Sequence, residues 1–255
     1  MTQIVGVRAA PVVLMILAIS AARGSIRTLR PVNVRGQLLR GVMATGSVYL
    51  FILGLTYVAL ADAAAATYIG PLIMTAAAPW LLGERVGLHR WAAVIIGFLG
   101  MLIMLRPSPS GLAWGMLIPA GAAVFGAMRD LLTRRIRNSE NAMSLLFCTN
   151  TIIACAGALM ALLVDWRMFS AADGAMLVMS AALIGAAHYL HIQAFRLEEA
   201  SMLAPFRYTG IIWAALLGFL IWGEIPDRFV VFGALVVVAS GLYIIHRERR
   251  ASREA

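Results

Sequence analysis

Residues Tyr68-Ile-Gly-Pro71, running on to Pro79-Trp-Leu-Leu-Gly-Glu84, and residues Tyr208-Thr-Gly-Ile211, running on to Leu220-Ile-Trp-Gly-Glu224, are two copies of one segment 140 positions apart. Each copy opens on a tyrosine and closes an apolar run with Gly-Glu. A repeat of this period, inside a chain that is 62% hydrophobic, predicts a membrane protein built from two halves. Membrane proteins built that way are mostly carriers.

Bulk properties agree. A mean hydropathy of +0.87 with 13% charged residues leaves too few charges to cover a soluble domain of 255 residues. The net charge of +9 comes from 21 arginines without a single lysine, a bias that a GC-rich genome explains. A nucleic-acid binder would cluster those arginines on a polar surface, whereas here they separate apolar runs. Cys148 and Cys155 are seven residues apart in one apolar stretch, about 10 Å along a helix, too far for a disulfide. They read as packing residues.

Nine apolar stretches are long enough, or nearly so, to cross roughly 30 Å of hydrocarbon as helix. They fall at 9–22, 39–60, 61–82, 91–105, 111–132, 143–164, 174–194, 201–222 and 229–245. Runs such as Ala63 to Ala66 supply the small residues that let helix backbones approach where lipid gives no hydrophobic drive. With the first span running inward, 15 arginines fall on the cytoplasmic side, from Arg23 to the terminal cluster Arg247, Arg249, Arg250 and Arg253. Only Arg106, Arg167 and Arg228 fall outside, so the positive-inside rule places the carboxyl terminus in the cytoplasm of a bacterial inner membrane.

At the 140-residue offset, the first four spans match the last four, and the fifth has no partner. The expected fold is therefore an all-α polytopic bundle of inverted repeats, five helices plus five with the first missing. Residues 1–107 form the first, incomplete repeat and residues 108–250 the second. A nine-helix protein is the alternative.

The residues that carry this pattern resemble the drug/metabolite transporter superfamily and its EamA family. In the first half the resemblance runs through Tyr57-Val-Ala-Leu-Ala-Asp-Ala-Ala-Ala-Ala-Thr-Tyr-Ile-Gly-Pro71, Leu82-Gly-Glu-Arg85, Arg90-Trp91 and Gly97-Phe-Leu-Gly100. In the second half it runs through Ala194-Phe-Arg-Leu197, Ala200-Ser-Met-Leu-Ala-Pro-Phe-Arg-Tyr208, Leu216-Leu-Gly-Phe219 and Gly223-Glu-Ile-Pro-Asp227. The resemblance covers essentially the whole chain and is specific to the fold, not to a substrate. It implies export of amino acids and related metabolites, or uptake of compounds such as riboflavin and S-adenosylmethionine. The second-half segment looks most like the branch that holds the uptake carriers.

Polar groups inside a bilayer are expensive, so each invites a functional reading. Arg207, just after Pro205 and between Phe206 and Tyr208, is placed either to bind a carboxylate or phosphate bidentately or to snorkel to the interface. Tyr68 and Tyr208 are repeat-equivalent phenols, offering a stacking face and a polar tip to a cavity, or else packing between helices. Trp213 is a candidate for stacking a planar substrate. His188 and His191 share a helix face at i and i+3, for a cavity contact, a proton relay or a backbone hydrogen bond. Asn150, midway through its span, is either a cavity contact or interhelical glue. Gly83, Glu84, Gly223 and Glu224 read as structural helix ends, and Asp62 as the N-cap of the third span.

No Gly-x-x-x-x-Gly-Lys loop is present, which argues against ATP-driven transport by this chain alone. No His-Glu-x-x-His or Gly-x-Ser-x-Gly constellation is present for an intramembrane enzyme. The expected function is a secondary carrier moving a small amino-acid-like, planar or carboxylate-bearing metabolite by alternating access. A non-transporting scaffold or an inactive truncated paralogue is the second reading, and an intramembrane enzyme a distant third. No cofactor, metal or nucleic acid is called for. The expected partners are the substrate and the lipid bilayer, with a homodimer as an option.

Overall fold

The computed structural model describes residues 2–82, 87–105, 114–162, 170–197, 210, 213, 216–223, 225 and 227–254. Among them every regular element is helical. The order is α1 (Thr2–Ala22), a 3-10 turn (Ile26–Leu29), α2 (Val34–Gly54), α3 (Leu60–Thr67), α4 (Gly70–Leu82) and α5 (Leu88–Leu105). Then follow α6 (Trp114–Ile136), α7 (Ala142–Ala161), α8 (Ala171–Leu197), α9 (residues 216–222) and α10 (Arg228–Glu254).

Five of these helices are long and apolar enough to span a bilayer: Val5–Ala22, Val34–Gly54, Trp114–Ile136, Ala142–Met160 and Asp173–Ala194. Their outward side chains are apolar too. Met176, Met179, Leu183 and Leu190 of α8 are each more than 60% exposed, an arrangement that water would penalise and lipid accepts. The chain is an all-helical, multi-pass membrane protein. The expected spans at 9–22, 39–60, 111–132, 143–164 and 174–194 fall mainly on α1, α2, α6, α7 and α8, and those at 91–105 and 229–245 fall within α5 and α10. Most of the span expected at 201–222 lies outside the described residues.

One expected span is corrected. The stretch 61–82 is not a single helix but α3 and α4, separated at Tyr68 and Ile69. Gly70-Pro71 supplies the reason. Proline has no amide hydrogen to return to the preceding turn, and it disfavours helical dihedrals in the residue before it. At the first turn of a new helix that missing donor costs nothing, so the chain restarts there. Asp62 is corrected as well: Ala59 holds the N-cap position of α3, and Asp62 lies inside its first turn. A carboxylate there still meets the positive end of the helix dipole.

Two compact units emerge, Met1–Tyr49 with Leu132–Leu197, and Leu50–Leu131 with Glu198–Ala255. Each takes helices from both halves of the chain. In the first unit α1 crosses α7 at glycine: a Cβ built on Gly6 would stand 2.5 Å from the Gly157 Cα. Its core gathers Val12, Ile16, Leu29, Ile136, Leu145 and Ile192. In the second unit α5 packs along α10 at Gly100, whose added Cβ would stand 2.9 Å from the Gly233 carbonyl oxygen. Its core includes Tyr68, Leu72, Met116, Val230 and Val237. Small residues at both crossings replace hydrophobic drive with backbone contact, as lipid requires.

Candidate functional site

The second unit is built around the helix break. Tyr68 is the C-cap of α3, its amide donating to the Ala65 carbonyl at 3.1 Å. Below it Thr67 Oγ1 donates to the Ala64 carbonyl at 2.7 Å, while Leu72 N and Ile73 N both return to the Ile69 carbonyl at 3.0 Å. The break is thus closed locally at both ends. Tyr68 is 8% exposed, its ring packed in the core with Ala65, Ile69 and Met116. Its hydroxyl reaches the backbone of Gly210, the repeat-equivalent of Gly70. The phenol therefore presents an apolar body to the core and a polar tip to a glycine on the second-half segment. Trp213, three residues further on, is 61% exposed. Arg207 and Tyr208 lie outside the described residues, as do Gly83, Glu84 and Glu224. Gly223 has φ +69°, and its amide donates to the Phe219 carbonyl at 2.9 Å, the geometry of a left-handed helix end that glycine adopts at least cost. On α6, Arg129 Nε and Nη2 both reach Asp130 Oδ1 at 2.9 Å, so the two neighbouring charges pair within the helix.

Asn150, His188 and His191 belong to the first unit. Asn150 is buried in α7 and donates its Nδ2 back to the Leu146 carbonyl at 2.9 Å, which occupies its amide locally. His188 and His191 are half-buried on α8. The residue between them that opens onto a cleft is Tyr189, whose hydroxyl accepts from Gln193 Nε2 at 2.9 Å. That cleft, about 290 Å³, lies between α1, α7 and α8 and is mostly apolar, with Arg23 and Tyr189 as its polar edge. Among the described residues no group of three His, Cys, Asp or Glu side chains is placed to hold a metal.

The most developed polar cluster was not expected from the sequence. Arg40, counted there among the cytoplasmic arginines, is 3% exposed inside α2. Its Nε donates to Thr133 Oγ1 of α6 at 2.7 Å, and its Nη1 donates to the Leu145 carbonyl at 3.2 Å and to Thr149 Oγ1 of α7. One guanidinium thus ties three helices, using the rigid fork of donors that lysine lacks. One turn earlier Gln37 Nε2 donates to Ser144 Oγ at 2.9 Å. Below it the Glu140 carboxylate accepts from Val32 N at 2.8 Å, Asn33 N at 2.6 Å and Ser144 Oγ at 3.3 Å. Asn33 Oδ1 accepts from Gly36 N at 2.9 Å and Asn141 Oδ1 from Ser144 N at 2.7 Å, capping α2 and α7 side by side. Glu140 therefore sits against two helix starts, where a negative charge is stabilised. The signal in the sequence was the position of Arg40, one residue inside an apolar run that otherwise has no charge before Asp62.

Comparison with known proteins fits this architecture. Residues 1–106 match the EamA-like transporter family. The S-adenosylmethionine uptake transporter of Rickettsia prowazekii is 25% identical over 240 residues, 94% of this chain and 80% of that protein. The riboflavin transporter of Vibrio cholerae is 28% identical over 99% of this chain and 85% of its own length. The pseudopaline exporter of Pseudomonas aeruginosa is 26% identical over 80% and 72%. A solved crystal structure superposes with a TM-score of 0.69, covering 98% of this chain and 88% of the other, and at 19% identity it shows a shared fold.

Proposed function

We propose that the chain is a member of the EamA-like transporter family, whose model matches residues 1–106, and that it is a secondary carrier of a planar, heteroaromatic metabolite across a bacterial inner membrane. The observation that carries this reading is the break at Tyr68 between α3 and α4. Irregular backbone within hydrocarbon is tolerated only where protein buries it or a cavity needs it, and discontinuous helices are where carriers form their substrate sites. The Tyr68 ring packs in the core beside that break, so its share in such a site is the hydroxyl directed at Gly210. Arg207 and Tyr208, three and two residues before Gly210, would add a cation for a carboxylate and a second phenol. Relatives named for S-adenosylmethionine and riboflavin support a planar ring system as the substrate's body.

The carrier reading includes an inverted pair of repeats working by alternating access, with the arginine-rich segments and the carboxyl terminus in the cytoplasm. Ligand-induced stabilisation of the purified protein tests it. A true substrate at a hundredfold excess over its Kd should raise stability by about 2.7 kcal/mol, and Tyr68→Ala should abolish that rise. A folded protein that no planar metabolite stabilises would favour a non-transporting scaffold.

A further inference from the structure

Helix α10 runs unbroken from Arg228 to Glu254, yet its apolar part ends at Tyr243. At about 100° per residue its sides separate into two faces. Val230, Ala234, Val237 and Ser240 are each 6% exposed or less and form the face packed in the second unit. Phe232, Leu235 and Leu242 are each more than 40% exposed, and Ala239 is exposed between them. In a membrane protein this second face is the one that lipid covers. Its four positions step along the helix by three, four and three residues.

The same steps continue past the apolar part to His246, then to Arg249 and Arg250, then to Arg253. The terminal arginines thus hold the register of the lipid-covered face. The packed face continues instead through Glu248, Ala251 and Ser252, and Arg247 falls between the two. A general excess of arginine on the cytoplasmic side would fix no face of a helix. Heights agree with this register. The headgroup layer is about 5–8 Å deep on each side of the hydrocarbon. At about 1.5 Å per residue, Arg249 and Arg250 stand roughly 6–8 Å beyond Ile245, and Arg253 roughly 12 Å. Tyr243, 45% exposed, lies just inside, where phenols border headgroups. Arg249 and Arg253, four residues apart, repel each other, and neither has a carboxylate three or four residues away. An anionic surface beside them relieves that repulsion.

We propose that the last turns of α10 form a binding surface for anionic phospholipid headgroups, with Arg249 and Arg250 in the phosphate layer and Arg253 at its edge. A guanidinium offers paired donors to phosphate oxygens, while the stripe of Phe232, Leu235 and Leu242 meets the acyl chains of the same lipids. Each arginine within that layer should raise the local preference for an anionic lipid by about fivefold. Only the cytoplasmic position of the carboxyl terminus is taken from the reading above, and it assigns this surface to the inner leaflet. Transport is not required.

Lipid-selective quenching tests this in the full chain. In protein carrying Cys148→Ala and Cys155→Ala, Ala239→Cys is labelled with a small fluorophore and placed in symmetric bilayers of phosphatidylcholine with a minority of phosphatidylglycerol. The brominated chains are carried either by the phosphatidylglycerol or, at the same mole fraction, by phosphatidylcholine. The expected result is a relative association constant favouring phosphatidylglycerol by about fivefold or more, weakened by salt. Arg249→Gln/Arg250→Gln should bring that ratio close to one, Arg253→Gln should lower it less, and Arg247→Gln should leave it unchanged. Adding Ala251→Arg and Ser252→Arg to the double variant restores the net charge on the packed side and should not restore the preference. Equal quenching by both lipids in the parent, a preference that survives Arg249→Gln/Arg250→Gln, or its recovery with the displaced arginines would overturn the proposal. Symmetric bilayers make this result independent of orientation. Orientation fails separately, if Ser252→Cys in the same cysteine-free background reacts with an impermeant maleimide from outside intact cells.

Discussion

The hydroxyl of Tyr68 lies over the backbone of Gly210, so that a Cβ placed on residue 210 would overlap Oη and stand 3.7 Å from Cζ. A residue at a helix break in the first half therefore reads the absence of a side chain in the second half. Gly210→Ala should lower stability by roughly 1–3 kcal/mol through overpacking. Tyr68→Phe removes the overlapping atom, so the double variant should recover most of that loss. Thermal unfolding in detergent measures both, and a double variant no more stable than Gly210→Ala would show that the overlap is not the cause.

Arg40 ties α2, α6 and α7 through Thr133, Leu145 and Thr149. Arg40→Ala leaves buried acceptors without their donor and should cost about 2–3 kcal/mol. Arg40→Lys should recover little, because an ammonium cannot present the planar fork. Melting curves of the two variants, compared with the parent, decide it. Full recovery by lysine would mean that charge alone matters at this position.

Glu140 holds the chain before α2 by accepting from Val32 N and Asn33 N. Glu140→Gln keeps the shape and removes the charge from hydrogen bonds that are each worth about 1.5–3 kcal/mol when ionised. The expected outcome is a stability loss within that range, together with faster amide exchange at Val32 and Asn33. Unchanged exchange at those two amides would contradict the assignment.

The glycines separate by what surrounds them. Gly6 faces the backbone of Gly157, whereas Gly174 on α8 has nothing within 4 Å of an added Cβ. Gly6→Ala should therefore destabilise by roughly 1–3 kcal/mol. Gly174→Ala should be neutral or stabilising by about 0.5–1 kcal/mol, the gain expected when alanine replaces glycine inside a helix. Paired melting measurements check the contrast, and equal losses at both positions would remove the reason given for the α1–α7 crossing.

These variants also mark what the sequence disclosed. Apolar runs and small residues were enough to place α1, α2, α6, α7 and α8, because length and hydropathy alone decide whether a helix spans lipid. The division of 61–82 into α3 and α4 was visible only in Gly70-Pro71, a dipeptide that hydropathy does not register. The contacts of Arg40 were hidden for a related reason. At the edge of an apolar run, composition cannot separate an arginine facing water from one facing Thr133 and Thr149. The repeat disclosed Tyr68 as a candidate, yet its partner Gly210 carries no side chain and so left no chemical signal. Tyr189 was passed over for the histidines on either side, since a phenol bordering a cleft and one packed in a core look alike in a sequence.

The central claim, that this chain carries a planar metabolite using Tyr68, is tested most directly by transport in proteoliposomes. Labelled S-adenosylmethionine and riboflavin, with an amino-acid panel beside them, are offered to purified protein and to Tyr68→Ala. The account predicts saturable movement of a planar compound, competed by its unlabelled form and lost in Tyr68→Ala while the variant remains folded. Transport that Tyr68→Ala leaves intact would contradict the site, and a folded parent protein that moves none of the compounds would contradict the function.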